Sequence, residues 1–293
     1  MKQSLRSINA ACASRIPLTW ITCYDYSFAR AISETDVDLI LVGDSGGMVA
    51  LGYPDTVPVT MNEMLVLTAA VRRGAPEKFI VGDMPKGSYE VNNDEAVTNA
   101  MRFCKEASAD AVKLEGGVLM ADRIAAISNS GIPVFGHIGL TPQSAATFGG
   151  YRVIGRDDAE GTRVIEDALA VQEAGAVSIL LEALPPSLAS RVTETLDIPV
   201  FGIGAGPNVD GQLLILHDLL GLYPNFRPKF AKCFVPDVID GFTESLGTLS
   251  TDPASRQDRT QDGLYELAKR AVNAYVADTR AGVFPTAEFS YAE

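Results

Sequence analysis

The chain has 293 residues, 47% hydrophobic and 21% charged, with 24 Lys+Arg against 37 Asp+Glu and a formal net charge of −13. That apolar content supports a large core and excludes a disordered tail. The negative charge, with no local run of Lys or Arg, excludes nucleic acid as a partner.

In chain order, residues 1–13 carry Lys2 and Arg6 but lack an apolar core with a small-residue cleavage site, so export is not expected. Apolar, β-branched runs then alternate with segments of helical spacing. The predicted strands are 18–24, 38–42, 79–82, 111–114, 133–136, 177–181, 198–203 and 230–234. Helix starts are marked by the capping box Thr60-Met-Asn-Glu63, by Asn92 or Asn93 before an acidic turn, and by Pro186 at a first helical position. Eight strands, each followed by a helix, predict one (β/α)8 TIM barrel over residues 1–293. The uncharged stretch 124–151 is broken by Pro133, Pro142 and several glycines, so it cannot span a membrane. Within it begins a Gly-rich loop, 139–158, of a length that is usually functional. A polar insertion is expected at about 248–262, followed by an amphipathic helix at about 263–281. Leu264, Leu267, Ala268, Ala271, Val272, Tyr275 and Val276 form its apolar stripe, to be packed on the barrel or on another subunit. Cys12, Cys23, Cys104 and Cys233 are far apart and form no C-x-x-C pair, which fits reduced thiols in a cytoplasmic protein.

A parallel barrel keeps its chemistry at the carboxyl ends of the strands. Here the second strand ends in Asp44-Ser45, the third in Asp83, the fourth carries Lys113 and Glu115, the fifth ends in His137 and the sixth in Glu182. Singly, each carboxylate could cap a helix. Together they would repel one another unless a cation neutralised them. With oxygen ligands and no thiolate, Asp44, Asp83 and Glu115 form the expected ligand set for a hard ion, Mg2+ or a similar divalent cation. Lys113 and Glu115, two apart on a strand, share one face, either as a mutual ion pair in the barrel core or with Lys113 neutralising a substrate carboxylate. Glu182, after an apolar run, is read as the general base, against the alternative of a cap near Pro185-Pro186. His137 either polarises the substrate or is held structurally. His217, in the Leu-rich run QLLILHDLLG, is read as structural. Gly202-Ile-Gly-Ala-Gly206 departs from the dinucleotide fingerprint and is either a ligand-approach loop or a plain turn.

The strings ITCYDYSFA, LVGDSGGM, TAAVRRGAP, VKLEGG, GHIGLTPQS, FGGYRVIGR, DALAVQEAGA, GIGAG, DGQ and KFAK follow one another across nearly the whole chain. In that order they resemble the ketopantoate hydroxymethyltransferase family. The resemblance implies a barrel of the phosphoenolpyruvate mutase and isocitrate lyase superfamily, assembled as a homodecamer. It implies Mg2+-dependent transfer of a hydroxymethyl group from the co-substrate 5,10-methylenetetrahydrofolate to the 2-oxo acid 3-methyl-2-oxobutanoate, through an enolate, for pantothenate synthesis. Mg2+ would sit at Asp44 and Asp83 with Glu115 close by. Asp44, Ser45, Asp83 and Lys113 would hold the 2-oxo acid, and Glu182 would accept the proton. The chain departs from the family pattern at Gly46, at Lys86-Gly87-Ser88 and at the insertion. The alternatives are an enolate-forming lyase or mutase on the same barrel, and a non-catalytic binding relative.

Overall fold

Short β-branched runs pair in parallel because return segments carry the chain back to the sheet's starting edge. These are helical as expected, except that the seventh strand reaches the eighth through the loop 204–210 with no helix between them. In the computed structural model, which describes residues 3–247 and 263–292, the strands are β1 (Leu18–Thr22), β2 (Leu39–Val42), β3 (Phe79–Asp83), β4 (Ala111–Glu115), β5 (Val134–Gly139), β6 (Ser178–Glu182), β7 (Val200–Ile203) and β8 (Gly211–Leu214). They form a closed barrel in chain order, β8 pairing with β1. Seven strands fall on predicted runs. The eighth does not: β8 is Gly211–Leu214, and no strand forms at 230–234. Phe230 and Ala231 are instead apolar because they are buried against the same inner cluster as the strands. The expected insertion at 248–262 lies outside the described residues.

The helices are α1 (Leu5–Ala13), α2 (Tyr26–Ser33), α3 (Gly46–Val49), α4 (Met61–Gly74), α5 (Asn93–Glu106), α6 (Ala121–Asn129), α7 (Asp158–Glu173), α8 (Pro186–Thr195), α9 (Leu216–Leu220), α10 (Val235–Gly247) and α11 (Leu264–Arg280). Local chemistry sets their starts. Thr60 and Glu63 close a reciprocal capping box on α4, Asn92 accepts from the Glu95 amide at the head of α5, and Pro186 opens α8. The last helix packs on its own barrel, against α2, α10 and β1, with Ala268, Ala271, Val272, Tyr275 and Val276 buried. Leu264 departs from the predicted stripe and is 78% exposed.

Alternation along each strand divides the core in two. Ile21, Ile40, Ile80, Val112, Leu114 and Val134 face the helices, while Trp20, Leu41, Phe79, Val81, Phe135, Leu180 and Phe201 fill the lumen. Trp20 packs its ring against Phe135 at 5.4 Å and Phe201 at 5.1 Å, making an aromatic floor. Ile8 of α1 joins that cluster from the amino-terminal end. Two residues further along the strands the lumen becomes polar, above this buried aromatic floor.

Candidate active site

The last inward-facing positions of β3 to β6 are Asp83, Lys113 with Glu115, His137 and Glu182, and Asp44 follows β2 directly. Strand register brings them level: Asp83 lies beside Lys113, and Glu115 beside His137. Lys113 Nζ donates to Asp83 Oδ1 at 2.7 Å and Oδ2 at 2.9 Å, and stands 3.6 Å from Glu115 Oε1. Lys113 and Glu115 do share the luminal face, but the lysine's nearer partner is Asp83. The Asp44 amide donates to Asp83 Oδ2 at 3.0 Å, which ties the second and third strand ends together. Ser45 Oγ is 2.9 Å from the Tyr24 hydroxyl.

His137 stands between two acids. Its Nδ1 is 3.4 Å from Glu115 Oε1 and its Nε2 is 3.2 Å from Glu182 Oε2, yet neither approach is aligned as a hydrogen bond. Glu182 is the most open of the group, its side chain 15% exposed where those of Asp83, Glu115, Lys113 and His137 are at 2–3%. Its backbone is clamped: the Leu140 amide donates to its carbonyl, and a Cβ at Gly139 would come within 2.4 Å of that oxygen. Ala183, next in the chain, sits at φ 51°, a left-handed conformation that disfavours any side chain and that surrounding contacts must hold in place.

Capping does not explain the acids. Pro185, without a side-chain hydrogen bond, caps α8, Asn92 caps α5, and α3 begins at Ser45 with no side-chain cap. Burial raises the pKa of all four carboxylates. Asp83 and Glu115 reach about 7, with Lys113 opposing the shift in both, and Asp44 and Glu182 also lie above the usual range. Burial pulls Lys113 down, but Asp83, Glu115 and Asp44 outweigh it and leave its pKa raised. Burial, then the charge of Lys113, lowers His137, which favours the neutral ring. The unfolded chain gives up its carboxyl protons at lower pH than the native site does. Stability of the metal-free protein should therefore fall as pH rises from the ordinary carboxylate range to about 7, a trend that thermal melts across that window would measure.

Three buried carboxylates and the partly exposed Glu182 gather about one buried lysine, and Glu115 Oε1 is buried without a hydrogen-bond partner. This donor set and its excess negative charge fit a divalent cation at Asp44, Asp83 and Glu115. Among the described residues, no three His, Cys, Asp or Glu side chains already surround one point as metal ligands do, since Lys113 and an amide hold the acids instead.

That amide belongs to Gln143, which the sequence reading missed along with Tyr24 and Tyr89. Gln143 Nε2 donates to Asp44 Oδ2 at 2.8 Å, and its backbone amide donates to Glu115 Oε2 at 3.0 Å. The available signal was GHIGLTPQS, which runs from a strand end into the Gly-rich loop. Lys86 stays outside the cluster, pairing with Glu90 at 3.2 Å. At Gly46 a Cβ would meet the Tyr24 ring at 2.6 Å, so that ring occupies the room a larger residue would need. Gly204 and Gly206, both at positive φ, press against Phe230 and Pro186, which makes the GIGAG segment a tight packed turn. His217 lies in α9 beside the Tyr24 ring, at 5.4 Å.

The closed barrel and its acid-lined mouth define a class. Phosphonopyruvate hydrolase superposes with a TM-score of 0.60 at 13% identity over 95% of this chain and 98% of that one. A 2,3-dimethylmalate lyase of the PEP mutase/isocitrate lyase superfamily superposes at 0.56 with 16% identity, covering 96% and 99%. The fold is that of this superfamily. The model of ketopantoate hydroxymethyltransferase matches residues 2–238. The 3-methyl-2-oxobutanoate hydroxymethyltransferases of Heliobacterium modesticaldum and Thermus thermophilus are 46% and 43% identical, over 94% and 99% of this chain and 90% and 100% of theirs. The chain belongs to the ketopantoate hydroxymethyltransferase family and is a transferase of one-carbon units. No helix among the described residues is long and apolar enough to cross a membrane.

Proposed function

We propose that this barrel removes the C3 proton of 3-methyl-2-oxobutanoate at Glu182 and presents the resulting enolate to 5,10-methylenetetrahydrofolate, whose methylene carbon bonds to C3 and, with the uptake of one water, is released from tetrahydrofolate as the hydroxymethyl group of ketopantoate, for pantothenate synthesis in the cytoplasm. The observation that carries this reading is the convergence of Asp44, Asp83, Glu115 and Glu182 about Lys113 and His137, with Glu182 the most exposed of the four.

A free carboxylate has a pKa of about 4.3 and is a poor base for a C–H bond next to a ketone. Burial raises Glu182 and strengthens it as a base. Asp44, Asp83 and Glu115 would hold Mg2+, the ion that accompanies oxalate in a complex of the structurally similar phosphonopyruvate hydrolase. When bound, such an ion polarises a ketone and stabilises negative charge developing on its oxygen. Lys113 supplies positive charge for the substrate carboxylate, Ser45 a hydroxyl donor, and His137 keeps a neutral ring against Glu182. The 3-10 helix Pro142–Phe148 sets Gln143 against Asp44 and Glu115, and in this reading it would help to limit water at the cluster. Ketopantoate should form only when 3-methyl-2-oxobutanoate, methylenetetrahydrofolate and Mg2+ are all present. Turnover of the 2-oxo acid without folate into cleaved or rearranged products would assign the barrel to lyase or mutase chemistry instead.

A further inference from the structure

Gln143 hydrogen-bonds two of the four acids of the site and has no role assigned to it so far. It lies in the 3-10 helix Pro142–Phe148, beyond β5, and is 3% exposed. Its backbone amide donates to Glu115 Oε2, at the end of β4. Its side-chain nitrogen donates to Asp44 Oδ2 beyond β2 and, at 2.9 Å, to the Met84 carbonyl beyond β3. Its side-chain oxygen accepts from the Tyr89 hydroxyl at 2.7 Å. Every hydrogen-bonding group of this amide side chain is thus used, across three neighbouring strand ends.

The middle of the segment, Gly149 to Tyr151, is lightly held, between the buried Ala145 and the buried Val153 and Ile154. Gly149 and Gly150 both have positive φ, and a Cβ at either would meet nothing within 4 Å. Tyr151 is 55% exposed. Lys86 reaches Ser144 Oγ only at 3.4 Å, on the exposed side. Beyond the strand itself, the segment meets the acids through Gln143, and at its two ends it is tied to the close of β6 by the Leu140 amide on the Glu182 carbonyl and the Ile154 amide on the Ala183 carbonyl.

We propose that Gln143 is a positioning residue that latches the Gly-rich loop onto the acid cluster, so that loop closure and the placement of Asp44 and Glu115 are a single event. The amide is suited to this because it is neutral and carries both a donor and an acceptor. It donates to Asp44 without competing for cation charge, and its oxygen accepts the hydrogen bond of the Tyr89 hydroxyl at the same time. A carboxylate at the same position would add a fifth acid and lose both donations. This inference rests on the proposed enolising role of the site and adds to it a link between loop and acids.

The test is hydrogen–deuterium exchange of the intact metal-free protein, read at the amides of Ser144, Gly149 and Gly150, which bond within the loop. Both Gln143→Ala and the near-isosteric Gln143→Glu should speed that exchange about 10- to 100-fold, the factor carried by a hydrogen bond to a charged acceptor. Both should also slow C3 proton exchange of 3-methyl-2-oxobutanoate through kcat and KM together. Tyr89→Phe, which leaves the donations to Asp44 and Met84 in place, should loosen the loop by a smaller factor, and it carries the test if the Gln143 variants do not fold. Loop protection at the wild-type level in all three variants overturns the latch, whatever happens to turnover. Glu182→Gln should keep full loop protection, so lost enolisation with an intact loop judges the base assignment and leaves the latch standing.

Discussion

Glu182→Gln is expected to slow both C3 proton exchange and ketopantoate formation by about 10²- to 10⁴-fold, the usual contribution of a positioned general base. The glutamine keeps the shape of the glutamate and its approach to His137 Nε2, at 3.2 Å in the wild type, but has no basic oxygen pair. Stability should not suffer. Burial raises the pKa of Glu182, so above the ordinary carboxylate range the native state holds a charge it disfavours, and a neutral amide removes that penalty. The variant should melt at or above the wild-type temperature while losing the exchange. Following the C3–H signal by NMR in deuterated buffer measures the first effect and a thermal melt the second. Native exchange in this variant would move the base elsewhere.

Lys113→Met should be the most destabilising single change at the barrel mouth. Lys113 is 3% exposed and bonds both oxygens of Asp83, and its loss leaves Asp44, Asp83 and Glu115 buried beside one another with no cation among them. Breaking a buried pair by removing one partner costs about 3–5 kcal/mol. At about 2–4 °C per kcal/mol for larger domains, the melting temperature should drop by about 10 °C at pH 8. The drop should shrink as pH falls below about 7, because Asp83 and Glu115 then take up protons and need no counter-charge. Activity should fall with it, because the proposed function assigns Lys113 to the substrate carboxylate. Paired melts at pH 5 and pH 8 test this, and an equal drop at both would show that the lysine acts through packing alone.

The strand ends were legible because a polar residue closing an apolar β-branched run stands out in any parallel barrel, and a two-residue spacing fixes the face that Lys113 and Glu115 share. The eighth strand was not. Gly211–Leu214 runs almost directly into α9 at Leu216, so the string QLLILHDLL carries a short buried strand and a helix in one apolar run that periodicity cannot divide. The segment 230–234 imitates a strand because Phe230 and Ala231 are buried beside the lumen without pairing. Gln143 escaped for another reason. It sits in a short 3-10 helix within what reads in the sequence as a Gly-rich loop, and its acid partners lie 28 and 99 residues away, a proximity that only the closed barrel creates. Tyr89 and Tyr24 likewise gain meaning only through the oxygens their hydroxyls meet, Gln143 Oε1 and Ser45 Oγ.

Proton exchange at C3 of 3-methyl-2-oxobutanoate, followed in deuterated buffer with wild-type protein and no folate, asks most directly whether the acid-lined mouth makes an enolate. The account predicts exchange when Mg2+ is added, none after chelation, and no exchange with Mg2+ in an Asp44→Asn, Asp83→Asn double variant. Exchange that runs equally well in chelator, or that survives loss of both aspartates, would contradict it.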